Sequence, residues 1–150
     1  MVTWRAFEEG APELASFGRE RIDHRVSFLA TIRGDGGPRV HPVTPWIADD
    51  HLYVRMYPSS PKAADLQRDP RFALHSMMDN DDGMGGEFAV SGLASEVVDP
   101  GTVAAAFETI GEPVGTRPLV LFELGLDDVL TTEYMGDDPR RRRWSAQPET

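Results

Sequence analysis

The chain has 150 residues, no cysteine and a formal charge of -10, from 25 acidic against 15 basic side chains. That length holds one core and not two comfortable ones, so residues 1–150 read as a single domain. The charge disfavours nucleic acid and anionic membrane surfaces as partners, and the missing thiols exclude disulfides, thiol catalysis and thiolate metal sites.

No window approaches the ~20 apolar residues of a membrane span. The N-terminal MVTWRAFEEGAPELASFG has neither a basic start nor an unbroken apolar run, so a cytoplasmic protein is expected. Thr3 to His24 is helical in pattern: Thr3 can cap, Trp4 and Phe7 share a face, and Pro12 opens a second helix carrying Leu14, Phe17 and Ile22. From Arg25 the period changes. In RVSFLATIR, Val26, Phe28, Ala30 and Ile32 point one way, and Ser27, Thr31 and Arg33 the other, as in a strand. Gly34-Asp35-Gly36-Gly37 is a hairpin turn. A second strand runs from Pro38 to Ile47, and its three prolines place it at an edge or give it bulges. Ala48-Asp49-Asp50 turns the chain into HLYVRMY, with Leu52, Val54 and Met56 inward.

A short helix then spans Pro61 to about Arg68 and stops at Asp69-Pro70. RFALHSM is a strand, Asp79 to Gly86 a polar, glycine-rich loop, and EFAVSGLASEVV a long strand whose Gly92 marks a bulge or bend. Asp99-Pro100 opens a helix that Gly111 closes. RPLVLFEL and VLTTEY read as two strands, RRRRWS as a last one, and QPET as a frayed tail. Seven or eight strands joined mostly by short turns, with three or four helices, predict an antiparallel barrel decorated by helices. A parallel sheet would need crossover helices for which the first three strands leave no room.

Lys62 is the single lysine beside fourteen arginines. With Pro61 at the first helical position, Ser60 becomes the cap and Lys62 lies in the first turn, where a cation opposes the helix dipole by about 0.3–1 kcal/mol. An anion held by the free amides, the Ser59 and Ser60 hydroxyls and the ammonium would reverse that sign. A solvated surface lysine is the competing reading. Arg39 on the second strand, and Arg55 and Tyr57 on the outward face of the third, could bring further groups to the same anion.

These pieces together (Gly36, Arg39-Val40-His41-Pro42-Val43, Ser60-Pro61-Lys62, Leu66 and Asp69-Pro70-Arg71) resemble the split-barrel flavoprotein superfamily that includes pyridoxamine 5′-phosphate oxidase and related flavin- or deazaflavin-dependent reductases. The likeness covers about residues 25 to 98 well. It implies a mainly β, antiparallel split β-barrel with a few short flanking helices, forming a homodimer with FMN at the subunit interface. By the same resemblance Arg39 and Lys62 hold the cofactor phosphate, with Ser60 and Ser59 assisting, and the backbone of Val40, His41, Pro42 and Val43 runs beside the isoalloxazine ring. Glu87 stands where the oxidase has a glutamine directed at the flavin, and Tyr134 and Arg140 have the spacing of a late aromatic and arginine lining the site. Three positions depart from the oxidase: Pro61 replaces an arginine, Thr44 replaces a lysine, and Arg140 to Trp144 stand where a substrate-recognising histidine is found. Pyridoxamine phosphate is therefore not the expected substrate.

The four histidines show no metal-ligand spacing, and no metal is expected. His24 and His51 should be exposed, and His75 should face away from Phe72 and Leu74. His41 could donate to the cofactor, serve as a proton source, or be satisfied structurally. The Asp79–Gly83 run lacks carboxylates at the first and last positions of an EF-hand, and GMGG is no dinucleotide fingerprint. Strand alternation sends two of Arg140 to Arg143 to each face, with one pair solvated or paired near Asp137-Asp138. The expectation is an FMN-dependent oxidoreductase acting on an unidentified small molecule, with a deazaflavin reductase or a non-catalytic flavin or tetrapyrrole binder as alternatives.

Overall fold

The structure, a computed structural model, describes residues 1–112 and 117–146; the expected tail QPET lies outside them. Thr3 Oγ1 accepts the Ala6 amide at 3.2 Å and starts α1, Trp4–Gly10. Pro12 starts α2, Pro12–Ile22. Both helices bury their aromatic stripe, and Trp4 meets Phe7 edge to face at 5.3 Å. The remaining elements are β1 (Ser27–Ile32), β2 (Pro38–Val43), β3 (Trp46–Ala48), β4 (His51–Met56), α3 (Pro61–Arg68), β5 (Arg71–Ser76), β6 (Glu87–Val97), α4 (Pro100–Glu108), β7 (Val120–Met135) and β8 (Asp138–Ser145). No helix among the described residues is long and apolar enough to cross a membrane.

All eight strands join one antiparallel sheet in the order β2-β1-β5-β6-β7-β4-β3, with β8 also on β7. The sheet curls without closing, which is the split barrel. Its main core packs Trp4, Phe7 and Phe17 of the helices against Leu29, Leu74, Phe88 and Leu124. A smaller core joins Trp46 and Tyr53 to Phe107 of α4.

Two readings of the sequence change, and a third, the two-sided pattern of β1, gains its inside face. The expected strand from Pro38 to Ile47 is two strands, because Thr44-Pro45 interrupts the ladder and sends β2 and β3 to opposite ends of the sheet order. Prolines therefore do sit on edge strands, where a missing N–H costs no ladder bond. RPLVLFEL and VLTTEY are one continuous strand, the 16-residue β7. In β1 the inward set is Ser27, Leu29 and Thr31, while Val26 and Phe28 are about 40 % exposed. Gly92 marks the expected bulge: the β6–β7 register shifts between Ser91 and Gly92. A Cβ there would meet the carbonyl oxygen of Gly125, so only glycine fits this approach.

Candidate functional site

β2 alternates, so Arg39, His41 and Val43 turn inward while Pro38, Val40 and Pro42 turn out. As an end strand it also leaves one row of main-chain groups outside the ladder. The inward row meets α3. Asp65 of that helix is 2 % exposed and accepts three hydrogen bonds: from Thr31 Oγ1 at 2.8 Å, from Arg39 Nε at 2.7 Å and from Arg68 Nη2 at 3.2 Å. Burial pushes the Asp65 carboxyl up, and these donors outweigh it, leaving the group below the ordinary carboxylate range. Arg39 is thus held through Nε, with its Nη groups left for another acceptor.

Pro61 opens α3 as the sequence requires, but Ser60 does not cap it with its hydroxyl. The Ala63 amide donates instead to the Ser60 carbonyl at 3.0 Å, which tightens the first turn. Ser60 Oγ is left buried with no hydrogen-bond partner. Lys62, next in the turn, is half-buried and lines a cavity of about 450 Å³ together with Pro42, Val43, Arg55, Met56, Tyr57, Glu112, Arg117 and Leu119. Three cations and one carboxylate face this space; Arg55 contacts Glu112, and Arg117 Nη1 donates to Tyr57 at 3.4 Å. Such a surplus of positive charge inside an acidic chain suits an anionic ligand.

His41 is half-buried and, like Arg39 and Ser60, is not among the residues that line this cavity. Burial, then Lys62 and Arg39, lower its imidazole from the ordinary value, while Asp65 opposes them. Its Nε2 is buried without a partner among the described residues.

Not every expected site residue joins this group. Val40 is 62 % exposed and lines a second, apolar groove on the outer sheet face with Phe28, Ala30, His75 and Leu130. Ser59 is exposed. Glu87 and Tyr134 are bound to each other, Tyr134 donating at 2.7 Å, and His75 Nε2 lies 3.5 Å from Glu87; none of the three lines the Lys62 cavity. The bond to Glu87 raises the Tyr134 hydroxyl above its usual value. Arg140 is exposed and 4.0 Å from Glu133. Its neighbours Arg142 and Arg143 pair with Glu13 and Asp128 rather than with the Asp137-Asp138 side. His51, expected in solvent, sits 2.6 Å from Glu123. The sequence reading missed Asp65, Thr31, Glu112 and Arg117. An acid flanked by Ala63 and Leu66 on the apolar side of α3 was the available sign for Asp65.

Residues 12–147 match the family model for pyridoxamine 5′-phosphate oxidase. The chain belongs to that family. No curated protein matches it in sequence. Among solved structures, a pyridoxamine 5′-phosphate oxidase-related, FMN-binding protein from Nostoc punctiforme is similar at TM-score 0.66 and 16 % identity, over 99 % of this chain and 93 % of that one. A heme-binding protein from Mycobacterium smegmatis also gives 0.66 and 16 %, over 82 % of this chain; the match spans about half of the mycobacterial protein, 53 %. An F420 reductase gives 0.57 and 18 %, over 74 % of this chain and 94 % of that one. At these identities the likeness is one of fold. Oxidase-family architecture is therefore shared by neighbours described as binding different cofactors.

Proposed function

We propose that residues 1–150 form a single FMN-binding domain and act as a flavin-dependent oxidoreductase on a small molecule. The observation that carries this reading is the buried Ser60 hydroxyl at the start of α3, which has no partner among the described residues, on the helix that carries Lys62 and whose Asp65 holds Arg39 by its Nε. A phosphate ester gives each of these donors an acceptor and turns Lys62 from a liability at a helix N-terminus into a gain. The residues present fit that group. The bound flavin would supply hydride or electron transfer. The chain's part is to anchor the phosphate through Arg39, Ser60 and Lys62, to offer the open edge of β2 from Val40 to Val43 as main-chain partners for a ring, and to shield one side with Met56 and Leu119.

A homodimer belongs to the same reading. Val26, Phe28, Val40 and Leu130 leave an apolar outer face on the sheet, and a two-fold contact there would cover it. Glu87, Tyr134 and Arg140 stand away from the cavity of their own chain, and in a dimer they are available to the partner's site. A deazaflavin is the second reading. Arg55 and Arg117 favour it, because they extend the cationic lining beyond what one phosphate needs.

The test is titration of the purified protein with FMN, riboflavin and a deazaflavin cofactor, followed by fluorescence. FMN should bind about tenfold or more tighter than riboflavin, as expected of charge-assisted contacts to its phosphate. Equal affinities would overturn the phosphate assignment, and a preference for the deazaflavin would install the second reading. Reduction of the bound flavin by a nicotinamide donor separates an enzyme from a flavin or tetrapyrrole carrier.

A further inference from the structure

Among the described residues, His41 is a titratable side chain next to the proposed phosphate site whose ring Nε2 has no partner. It follows Arg39 by two residues on β2 and so shares the inward row that meets α3. Its Nε2 is shielded from solvent and, like Ser60 Oγ, has no partner among the described residues. A buried polar atom left unsatisfied is costly unless something else completes it. The charged groups acting on the ring are Lys62 and Asp65 from α3 and Arg39 from its own strand. β1 places Leu29 opposite and adds no charge. Asp65 is already taken by Arg39, Arg68 and Thr31, which leaves the imidazole among cations without an anion of its own.

We propose that His41 is the proton-accepting member of this anion site, and that docking of a phosphate ester converts it to an imidazolium. The inference rests on the phosphate reading given above and adds to it a proton taken up on binding. The chemistry is a plain acid–base step. A dianionic phosphate beside Lys62 and Arg39 cancels the positive field at the ring, a proton from solvent joins the imidazole, and the imidazolium faces the anion. No bond in the ligand is made or broken. Burial and the two neighbouring cations lower the histidine in the free protein, and an anion that offsets those cations acts in the opposite direction. Because the bound state has the higher affinity for protons, ligand affinity must fall as pH rises through the bound-state value, by about tenfold for each unit that His41 is raised.

The ring can be watched directly by following histidine Cε1–H resonances through a pH titration. His41 is assigned as the signal lost in His41→Gln, or by exclusion with His24→Gln, His51→Gln and His75→Gln should that variant not fold. Titrations are run on the free protein and with saturating FMN, riboflavin or inorganic sulfate, which does not itself titrate. The expected result is a His41 midpoint that rises by about one unit or more with FMN, rises with sulfate, and stays put with riboflavin. If FMN binds tighter than riboflavin yet the His41 midpoint does not move, the proton-accepting role is wrong and the flavin reading stands. If FMN does not bind but sulfate moves the midpoint, the flavin reading fails and the anion-linked histidine remains. A midpoint indifferent to every anion overturns the proposal.

Discussion

At the scale of single residues the proposed site divides into groups that would face a ligand and groups that hold them. Lys62 is of the first kind. In the FMN titration Lys62→Ala should weaken binding by about 1–3 kcal/mol, through loss of one charge-assisted contact, and leave riboflavin binding and the melting temperature close to the parent's. An unchanged FMN affinity would remove Lys62 from the site. Asp65 is of the second kind. Its carboxyl lies below the ordinary 3.8 in the folded protein, so the ionised form stabilises the fold. That contribution is present above about pH 4 and is lost as pH falls through the lowered folded value. Asp65→Asn should therefore unfold more easily than the parent at pH 7, by about 2–4 kcal/mol once the partial exposure of Arg39 and Arg68 is allowed for. The gap should close in acid; equal urea midpoints at pH 7 would show that the carboxylate is dispensable. Asp65 was hard to read in advance because a charged residue on a short helix usually faces water. Only its three donors, from β1, β2 and α3, reveal otherwise.

At the scale of elements, α3 and β2 make the site and the β6–β7 pair makes the frame. Gly92 lies against the Gly125 carbonyl across that pair. Gly92→Ala must push two main chains apart and should cost about 2–4 kcal/mol; a urea midpoint equal to the parent's would show that the bulge can absorb a methyl group. The elements were largely legible in the sequence. Pro61, Pro12 and Pro100 each open a helix, and alternation marked the strands. What alternation lacks is a sense of inside and outside. β1 reads as apolar on one side and polar on the other, yet its polar Ser27 and Thr31 are buried and its apolar Phe28 is not. Thr31 goes inward because Asp65 needs its hydroxyl, a relation across 34 residues that no local pattern contains. The division of Pro38–Ile47 into β2 and β3 was hidden for the same reason, since each half finds its partner elsewhere in the sheet.

At the scale of the whole molecule, the apolar outer face and the apolar groove of about 380 Å³ on it lie where a second copy is proposed. Phe28→Glu places a charge at the centre of that face without touching the core. By analytical ultracentrifugation the parent should sediment as a dimer and the variant as a monomer; a parent that is monomeric at micromolar concentration would sink the dimer reading. One feature of the sheet bears on how such a protein can come apart. β7 is bonded to β6 along one edge, and along the other to β4 over its first residues and to β8 over its last. It is a spine shared by β4, β6 and β8, so opening any of these pairings strips β7 of part of a bonded edge, and unfolding is expected to be a single cooperative step.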